Sequence, residues 1–433
     1  MSVQALYNLF HQSVGVTTDS RHDVHGKLFF ALRGERYDGH FFVKQSLEKG
    51  CYKAVIDDER YAEGERTVTV DNVLSSLQSL AAYHRKRFDI PLVAITGSNG
   101  KTTTKELMRD VLGRKFRTLA TEGNLNNHIG VPLTLLRLDK EHEIAVIEMG
   151  ANHIGEIDLL SRIARPDHGL ITNIGRAHLE GFGSLQGVFQ AKGELFRFLK
   201  STGGKAFVNN DQKLLSDLAR ELALDAIYYG SSGDCDVRGR LTEEGPGTGL
   251  EVAAGNPPSV YNVKSSLAGS CNFENILAAV CVGNYFKVPS DQIINAVGEY
   301  IPGNNRSQIL QTARNRILLD AYNANPDSMR SALLNFAGQP GENKSVILGD
   351  MLELGIYEED EHREIAGLLT GHNYREVILV GSVFGRIPLP KDYIRFENTG
   401  LLMEWLANNP VRDRFVLLKG SRGIGLERCL PLL

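Results

Sequence analysis

TGSNGKTT, residues Thr96 to Thr103, lies between the apolar run PLVAIT and the amphipathic run KELMRDVLG. A strand, a glycine-rich loop and a helix in this order bring backbone N–H groups and the positive end of a helix dipole to one point. Gly97 and Gly100 let the backbone approach an anion closely. Lys101 can neutralise phosphate charge, and the Thr102 hydroxyl can ligate Mg²⁺. The pattern predicts a nucleoside triphosphate site in an α/β domain.

This loop is shorter than the strict phosphate-loop pattern GxxxxGK[ST], which would require glycine where this chain has Ile95. As a bare string, the shorter form GxxGK[ST] is common by chance. The alternative is an ordinary strand-to-helix turn with a solvated lysine. The apolar strand before the loop and the helix after it favour nucleotide binding over that alternative.

Apolar runs typical of buried parallel strands follow the loop along the chain. EIAVIEMG, HGLITNIG and KAFVNND are each followed by glycine or polar residues and then by helical periodicity. After the turn-rich IPGNNRSQ, Ile301 to Gln308, the rhythm restarts with RILLDAY, KSVILGD, EVILVG and RFVLLKG. Such alternation predicts parallel strands joined by helices. The glycine-rich stretch Gly230 to Ser259 breaks the rhythm and predicts antiparallel hairpins at one sheet edge.

Three regions of the chain differ in the pattern of their apolar runs and turn-forming segments, and they predict three α/β domains. From residue 1 to about 87, the short runs KLFFAL and KAVID alternate with turn-forming segments and end in the amphipathic SSLQSLAAYHRKRF. This region predicts a small α/β domain that leads into a linking helix. Residues 88–302 predict a mostly parallel sheet around the phosphate loop, and residues 303–433 predict a doubly wound unit.

The composition narrows the class of protein. The 433 residues include 42% hydrophobic and 23% charged residues with a formal net charge of -4, so bulk charge gives no support for a nucleic-acid partner. The five cysteines are scattered and form no CxxC pair, which argues against a disulfide framework or a thiolate zinc site. No uncharged apolar run reaches the roughly 18 residues that span a bilayer. We therefore expect a cytoplasmic protein without membrane insertion.

Two polar residues follow apolar strands near the predicted phosphate site. Glu148 ends the run EIAVIEMG, and His178 follows HGLITNIG. Because ligands bind at the carboxyl ends of parallel strands, both side chains should emerge beside the loop and could ligate Mg²⁺. Taken singly, such a glutamate is usually a solvated rim residue and such a histidine structural. Lys192, in QAKGELF, gives no signal by its spacing, and a solvated charge is the ordinary interpretation.

Six motifs, taken in order, closely resemble those of the Mur ligases, the ATP-dependent amide ligases of peptidoglycan precursor synthesis: TGSNGKTT, IEMGANHIGEID, NIGRAHLEGFGS, AKGELF, CNFENILAA and DAYNANPDSM. Further segments are similar to the member that adds D-alanyl-D-alanine: TTDSRHD, FFALRGERYDGHFF, EGNLNNHIGVPLTLLRL, YNANPDSM, LGDMLELG and KGSRGIGLE. The resemblance covers essentially the whole chain.

The resemblance implies an N-terminal domain that binds the UDP part of the substrate, a central ATPase domain and a C-terminal Rossmann-like domain that closes over the site. It implies transfer of the γ-phosphoryl group of ATP to the terminal carboxylate of UDP-N-acetylmuramoyl-tripeptide. The amine of D-alanyl-D-alanine then attacks the acyl phosphate through a tetrahedral intermediate. The products are the UDP-pentapeptide, ADP and phosphate, and the family suggests a monomer.

The resemblance also assigns residues to the ATP and metal sites. The triphosphate would be bound by the loop residues Gly97, Ser98, Asn99, Gly100, Lys101, Thr102 and Thr103. Magnesium would contact Thr102 and Glu148, and a second magnesium would contact His178 and Lys192, the latter as a carbamate formed with CO₂. Adenine would contact Asn272 and Asn275. When the third domain closes, it would bring four residues into contact with the nucleotide: Arg306, Asp320, Tyr322 and Asn325. The catalytic set would be Lys101, Glu148, His178 and Lys192.

The substrate residues implied by the resemblance are Ser20 and Arg21 for the uridine nucleotide and Asn126 and Asn127 for the muramoyl-peptide part. Two positions depart from the family pattern. Cys271 stands where the family often has histidine, and His128 follows the two asparagines where glutamate is common. The first departure leaves open which residue stacks on the adenine base, and the second leaves open the contact with the peptide part of the substrate.

Three other functions compete with the dipeptide-adding ligase. A related ligase that adds one amino acid typically has a DNPR signature, which this chain lacks, and YNANPDSM favours the dipeptide. Folylpolyglutamate synthase is disfavoured by the dedicated N-terminal region. A non-catalytic nucleotide switch would use the phosphate loop but would not require Glu148, His178 and Lys192 beside it.

Overall fold

The structure, a computed structural model, describes residues 1–35, 37–244, 247–255, 258–267, 269, 271–303 and 305–433, without the side chains of residues 243, 244 and 271. It contains three sheets of four, nine and six strands, which follow one another along the chain. Each sheet with its helices forms one α/β domain, as the sequence predicts. Within the described ranges, none of the helices combines the length and the apolar character needed to cross a bilayer.

The N-terminal domain is built on a parallel sheet with the strand order β1-β2-β3-β4. Its strands are β1 Val16–Thr17, β2 Leu28–Phe30, β3 Lys53–Ile56 and β4 Thr67–Thr69. Its helices are α1 Val3–Gln12, α2 Val43–Glu48 and α3 Val73–Arg85, with short 3-10 helices at Gly39–Phe42, Glu59–Tyr61 and Gly64–Arg66. The predicted linking helix is α3, which begins after Asn72, whose side chain accepts a hydrogen bond from the Ser75 N–H.

The central domain has the strand order β13-β12-β11-β10-β9-β8-β5-β7-β6. Its strands are β5 Leu92–Thr96, β6 Thr118–Ala120, β7 Ile144–Glu148, β8 His168–Ile171, β9 Lys205–Asn209, β10 Asp225–Gly230, β11 Val237–Glu244, β12 Thr248–Ala254 and β13 Ser259–Ser265. Its helices are α4 Lys101–Leu112, α5 Gly130–Leu135, α6 Glu156–Ala164, α7 Leu179–Phe182, α8 Leu185–Thr202, α9 Lys213–Glu221, α10 Cys271–Tyr285 and α11 Ser290–Glu299.

Continuous apolar runs form the centre of this sheet because helices cover both of its faces. All five residues of β5 are buried. Leu92 and Ala94 join the core on one face, and Val93 and Ile95 join the core on the other. Successive side chains of a strand point to opposite faces, so a strand buried on both faces needs apolar residues at every position.

The predicted hairpins are confirmed at one edge of the central sheet. β11 pairs antiparallel with β12, and β12 pairs antiparallel with β13. The last strand extends to Ser265, beyond the predicted end at Ser259. Gly245, part of the predicted glycine-rich stretch, lies outside the described residues.

The C-terminal domain has the strand order β14-β15-β19-β16-β17-β18, parallel except for β14. Its strands are β14 Gln308–Gln311, β15 Arg316–Asp320, β16 Lys344–Gly349, β17 Glu376–Val380, β18 Ile394–Phe396 and β19 Phe415–Lys419. Its helices are α12 Pro326–Gly338, α13 Glu358–Thr370, α14 Ser382–Arg386 and α15 Thr399–Asn408, with 3-10 helices at Gly355–Tyr357, Arg422–Ile424 and Leu426–Leu432. The doubly wound prediction is confirmed.

Candidate active site

The predicted phosphate loop joins the end of β5 to the start of α4. Gly97 and Gly100 have φ angles of 139° and 79°, which favour glycine. A Cβ atom on Gly97 would lie 2.0 Å from the Thr172 hydroxyl oxygen, and one on Gly100 would lie 2.3 Å from Asn275 Oδ1. Both glycines are therefore required by backbone conformation and by close packing.

Neighbouring strand ends hold the loop in place. The Ser98 N–H donates to the Asn173 carbonyl at 3.0 Å, and the Asn99 N–H donates to Asn173 Oδ1 at 2.9 Å. The first N–H groups of α4 have no intrahelical acceptor by helix geometry, so they face the centre of the loop. This arrangement is suited to an anion with several oxygens.

Lys101 lies inside the curve of the loop. Its Nζ donates to the carbonyls of Gly97 at 2.7 Å and Ser98 at 3.1 Å. Burial lowers the pKa of Lys101 to about 8, and the nearby Glu148 carboxylate opposes this shift. The lysine is thus held where a phosphate would sit, with its charge sensitive to mildly alkaline pH.

We expect nucleotide affinity to fall as pH rises through the pKa of Lys101. Phosphate binding requires the ammonium form, so raising pH from 7.5 to 9 should weaken ADP binding by up to about tenfold. Isothermal titration with ADP and no other substrate measures this. The Lys101→Arg variant is the control, because its guanidinium stays charged and should remove most of the pH dependence. An equal fall in both proteins would contradict the assignment.

Glu148 forms a buried carboxylate beside the loop. Its side chain is 1% exposed, and Oε1 accepts hydrogen bonds from Asn126 Nδ2 at 2.7 Å and from the Thr102 hydroxyl at 3.2 Å. Among the described residues, Oε2 has no hydrogen-bond partner although it is buried. A buried carboxylate oxygen without a partner, next to a hydroxyl, fits a divalent cation with oxygen ligands.

Lys192 is fully buried in α8 and is no solvated surface charge. It is 1% exposed, and its Nζ donates to the Ala151 carbonyl at 3.1 Å and lies 5.0 Å from the Phe182 ring centre. Burial lowers the pKa of Lys192 well below its usual value, and the positive charge of Lys101 adds to this effect. The amine is therefore driven toward its neutral form.

His178 immediately precedes α7 and has a φ of 53°. Its ring nitrogen Nδ1 contacts the carboxylate of Glu353 from the C-terminal domain. Hydrogen bonding to His178 holds the pKa of Glu353 below its usual value. His178 thus lies at the boundary of two domains, beside the phosphate loop.

A cleft of about 770 Å³ runs between the central and C-terminal domains. The predicted site residues that line it are Ser98, Asn99, Gly100, Lys101, Thr102, Thr103, Asn126, Asn127, Glu148, His178, Asn272, Asn275, Arg306, Asp320, Tyr322 and Asn325. Four other predicted residues, all within the described ranges, do not line it: Ser20, Arg21, Gly97 and Lys192. The structure therefore brings most of the predicted ATP site into one cleft.

The predicted adenine contacts lie one turn apart on α10. Asn275 Nδ2 donates to Asn272 Oδ1 at 3.1 Å, and the Thr104 hydroxyl donates to Asn275 Oδ1 at 3.1 Å. Glu274 and Gln212, which the sequence did not single out, also line the cleft, and Gln212 Nε2 donates to both Glu274 oxygens at 3.2 and 3.1 Å. Burial raises the pKa of Glu274.

The side chain of Cys271, the first departure from the family pattern, lies outside the described part of the chain. The second departure, His128, does line the cleft. Its carbonyl accepts a hydrogen bond from Gln78 Nε2 at 3.0 Å.

The C-terminal domain reaches the phosphate loop directly. Asn325, which caps α12, donates from Nδ2 to Asn99 Oδ1 at 2.8 Å. The Arg306 guanidinium lies 3.7 Å from the Tyr322 ring centre. Asp320 accepts from the buried Lys419 Nζ at 2.5 Å. The C-terminal domain therefore lies against the phosphate loop.

The predicted substrate residues are divided between two places. Ser20 and Arg21 lie in the N-terminal domain, where Arg21 is exposed and pairs with Asp19 at 2.6 Å. Asn127 Oδ1 accepts from the Gly130 N–H at 2.9 Å at the start of α5, and Asn126 is held by Glu148. Their substrate roles stay predictions.

Several cleft residues escaped individual prediction. Two of them, Leu352 and Glu353, follow the apolar strand β16. Two others, Ser421 and Arg422, follow the apolar strand β19. The strand-end rule pointed to their segments LGDMLELG and KGSRGIGLE without selecting residues. Asp327 also lines the cleft. An aspartate at the start of a helix is commonly there to stabilise the helix end, so the sequence did not mark it as a site residue.

Comparison with known proteins identifies the family. The Mur ligase middle domain matches residues 95–283, and the Mur ligase, glutamate ligase domain matches residues 305–422. The UDP-N-acetylmuramoyl-tripeptide–D-alanyl-D-alanine ligase of Bacillus subtilis is 35% identical over 425 residues, covering 95% of this chain and 91% of that relative.

Two solved structures are similar over nearly the whole chain. A crystal structure of MurF from Acinetobacter baumannii has a TM-score of 0.88 and 31% identity, covering 99% of this chain and 98% of that one. The structure of MurF ligase from Thermotoga maritima in complex with ADP has a TM-score of 0.83 and 28% identity, covering 98% and 97%. Together with the phosphate-loop cleft, these similarities show that the chain belongs to the Mur ligase family, in its UDP-N-acetylmuramoyl-tripeptide–D-alanyl-D-alanine ligase branch.

Proposed function

We propose that this protein is the ATP-dependent ligase that joins D-alanyl-D-alanine to UDP-N-acetylmuramoyl-tripeptide. The observation that carries the proposal is the cleft in which the C-terminal domain meets a phosphate loop, with Asn325 bonded to Asn99 across the boundary. Curated relatives of this activity match the chain over nearly its full length. The products are the UDP-pentapeptide, ADP and phosphate.

The chain's own groups match the needs of this reaction. A carboxylate is a poor electrophile, so phosphoryl transfer from ATP to the tripeptide carboxylate creates a leaving group. Lys101 and the N–H groups at the start of α4 offset the charge on the transferring phosphoryl group. The acyl phosphate would hydrolyse in water, and the C-terminal domain over the cleft excludes solvent.

Thr102 and Glu148 would hold one Mg²⁺, since a buried Glu148 oxygen has no hydrogen-bond partner in the part of the chain that the structure describes. Bound Mg²⁺ supplies charge neutralisation at the phosphates. Within the described residues, no group of three histidine, cysteine or acidic side chains forms a ready metal cluster. Further ligands would therefore come from phosphate, water and a modified lysine, with His178 and Lys192 at the second site.

The modification proposed for Lys192 is a carbamate. A neutral lysine amine adds to CO₂: an N–C bond forms as one C–O π bond of CO₂ opens, and one proton leaves. The neutral amine thereby becomes an anion. The burial and lowered pKa of Lys192 support this reaction because only the neutral amine is nucleophilic. An anion there would also be attracted by the positive charge of Lys101, which is close enough to lower the pKa of the Lys192 amine.

We extend the proposal to the remaining parts of the chain. Residues 1–87 would bind the UDP part of the substrate. Residues 88–302 would bind ATP, and residues 303–433 would close over the site. Ser20 and Arg21 would contact the uridine nucleotide, and Asn126 and Asn127 the muramoyl-peptide part. We propose a monomer in the cytoplasm, where ATP and nucleotide-linked precursors are available.

The test is phosphate release from ATP by the purified chain with Mg²⁺. UDP-N-acetylmuramoyl-tripeptide and D-alanyl-D-alanine are added separately and then together, with L-alanyl-L-alanine and single amino acids as controls. We expect release only with both substrates, and mass spectrometry should detect the UDP-pentapeptide. Turnover with one amino acid and the UDP-dipeptide would instead identify the neighbouring ligase. ATP turnover indifferent to any peptide would favour a nucleotide switch.

A further inference from the structure

Arg176 joins the central domain to the C-terminal domain through three carboxylates. Its backbone N–H donates to Asp327 Oδ2 at 2.6 Å, and its Nε donates to Asp327 Oδ1 at 3.2 Å. Its Nη1 donates to Glu361 Oε1 at 3.0 Å and to Glu364 Oε2 at 3.1 Å. One residue of the central domain thus makes four hydrogen bonds to α12 and α13.

The three carboxylates differ in exposure: Asp327 and Glu364 are 34% and 50% exposed, whereas Glu361 is poorly solvated. The side chains of Arg176 and Glu361 are 31% and 10% exposed. Burial raises the pKa of Glu361, and the charge of Arg176 opposes that shift. Inside the C-terminal domain, Arg330 pairs with Glu364 at 2.9 Å. Removing Arg176 would leave the poorly solvated Glu361 carboxylate without this partner at the domain boundary, which is costly.

The chain segment that carries Arg176, residues 173–178, also touches the phosphate loop; we name it the coupling segment. The Ser98 hydroxyl donates to the Gly175 carbonyl at 3.0 Å and accepts from the Gly175 N–H at 2.9 Å. Asn173 accepts from the Asn99 N–H. A Cβ on Gly175 would lie 2.5 Å from Asp327 Oδ2, so any larger residue there would displace the Asp327 carboxylate that Arg176 binds.

The two sides of the coupling segment therefore contact different partners. One side bonds to the phosphate loop, and the other bonds to the C-terminal domain through Arg176. The segment ends at His178, which contacts Glu353 of the C-terminal domain. A change in docking of that domain must alter the support of the loop, because the segment is hydrogen-bonded to both.

We propose that Arg176 is a positioning residue that couples docking of the C-terminal domain to the geometry of the phosphate loop. Its relevance to turnover rests on the proposed ligase function. Arg176 does not contact the reacting groups in this scheme. It holds the coupling segment so that Ser98, Asn99 and His178 take their working positions when the cleft closes.

The kinetic test compares Arg176→Ala, Arg176→Lys and the control Arg330→Ala in the full chain. Arg330 pairs with the same acidic cluster but stays within one domain. We expect Arg176→Ala to lower kcat by about 10- to 100-fold with each substrate KM changed less than about threefold. Arg176→Lys should recover part of kcat, and Arg330→Ala should keep kcat within about twofold.

The second readout is small-angle X-ray scattering with and without ADP and Mg²⁺, which needs no ligase activity. We expect the radius of gyration of Arg176→Ala with ADP to exceed that of the unaltered chain, and Arg330→Ala to match the unaltered chain. If Arg176→Ala unfolds, kinetics and scattering are measured on Arg176→Lys and Glu364→Gln instead. Unchanged kcat and unchanged scattering, or equal losses in Arg330→Ala, would overturn the proposal. Absent ligase activity with altered scattering would reject the proposed function alone.

Discussion

Replacing Lys101 by alanine should lower kcat for the ligase reaction by about three orders of magnitude, the largest effect expected of a single side chain in the loop. Lys101 Nζ donates hydrogen bonds to the carbonyls of Gly97 and Ser98, within the loop that faces the cleft. Its charge would offset the negative charge that builds on the transferring phosphoryl group. The loop N–H groups remain in the variant and would support weak nucleotide binding.

Steady-state phosphate release with both peptide substrates measures this effect, and circular dichroism verifies the fold. Lys101→Arg keeps a positive charge and should lose less activity than Lys101→Ala. Lys115→Ala is the control. Lys115 is exposed, lies outside the cleft and donates to the Phe286 and Lys287 carbonyls, so this variant should keep kcat close to that of the unaltered chain. A Lys101→Ala variant with near-normal kcat would remove the phosphate role from this lysine.

Replacing Lys192 by alanine should also reduce kcat by about three orders of magnitude, by removing the proposed carbamate. The amine of Lys192 is 1% exposed, and burial together with Lys101 lowers its pKa. These conditions favour addition of CO₂ over retention of a proton. Activity of the unaltered chain should therefore fall when bicarbonate and CO₂ are removed, and should return when bicarbonate is added.

A direct readout is ¹³C NMR of the protein equilibrated with ¹³C-bicarbonate. The carbamate signal should appear in the unaltered chain and vanish in Lys192→Ala. Lys105→Met is the matched control, because Lys105 is another buried lysine with a lowered pKa and donates to the Thr121 carbonyl at 2.8 Å. A signal that persists in Lys192→Ala, or disappears in Lys105→Met, would place the modification elsewhere.

Local sequence was sufficient for most of the fold. The runs around Leu92–Thr96 and Ile144–Glu148 are apolar at nearly every position, and both became fully buried parallel strands. Gly97 and Gly100 marked the phosphate loop because side chains at these positions would clash. The glycine-rich stretch after Gly230 marked the edge hairpins. These features depend on interactions among near neighbours or on a repeating burial pattern, so they can be predicted from local sequence.

The role of Lys192 could not be derived from its surroundings in sequence. QAKGELF is compatible with a solvated lysine on a helix, and only packing of α8 against the sheet buries the amine beside Ala151 and Phe182. The family resemblance supplied the carbamate hypothesis. The structure supplies its physical support, since burial is a property of the assembled domain.

The phosphate loop, the order of strands and helices and the family resemblance could all be predicted from local patterns along the chain. The contact of Asn325 with Asn99 and those of Arg176 with Asp327, Glu361 and Glu364 became visible only in the folded domains. These partners are separated by 151 to 226 residues, so no local pattern links them. Their contacts arise because two sheets, each formed by its own stretch of chain, place their strand ends at one cleft, so that polar groups of one domain meet polar groups of the other.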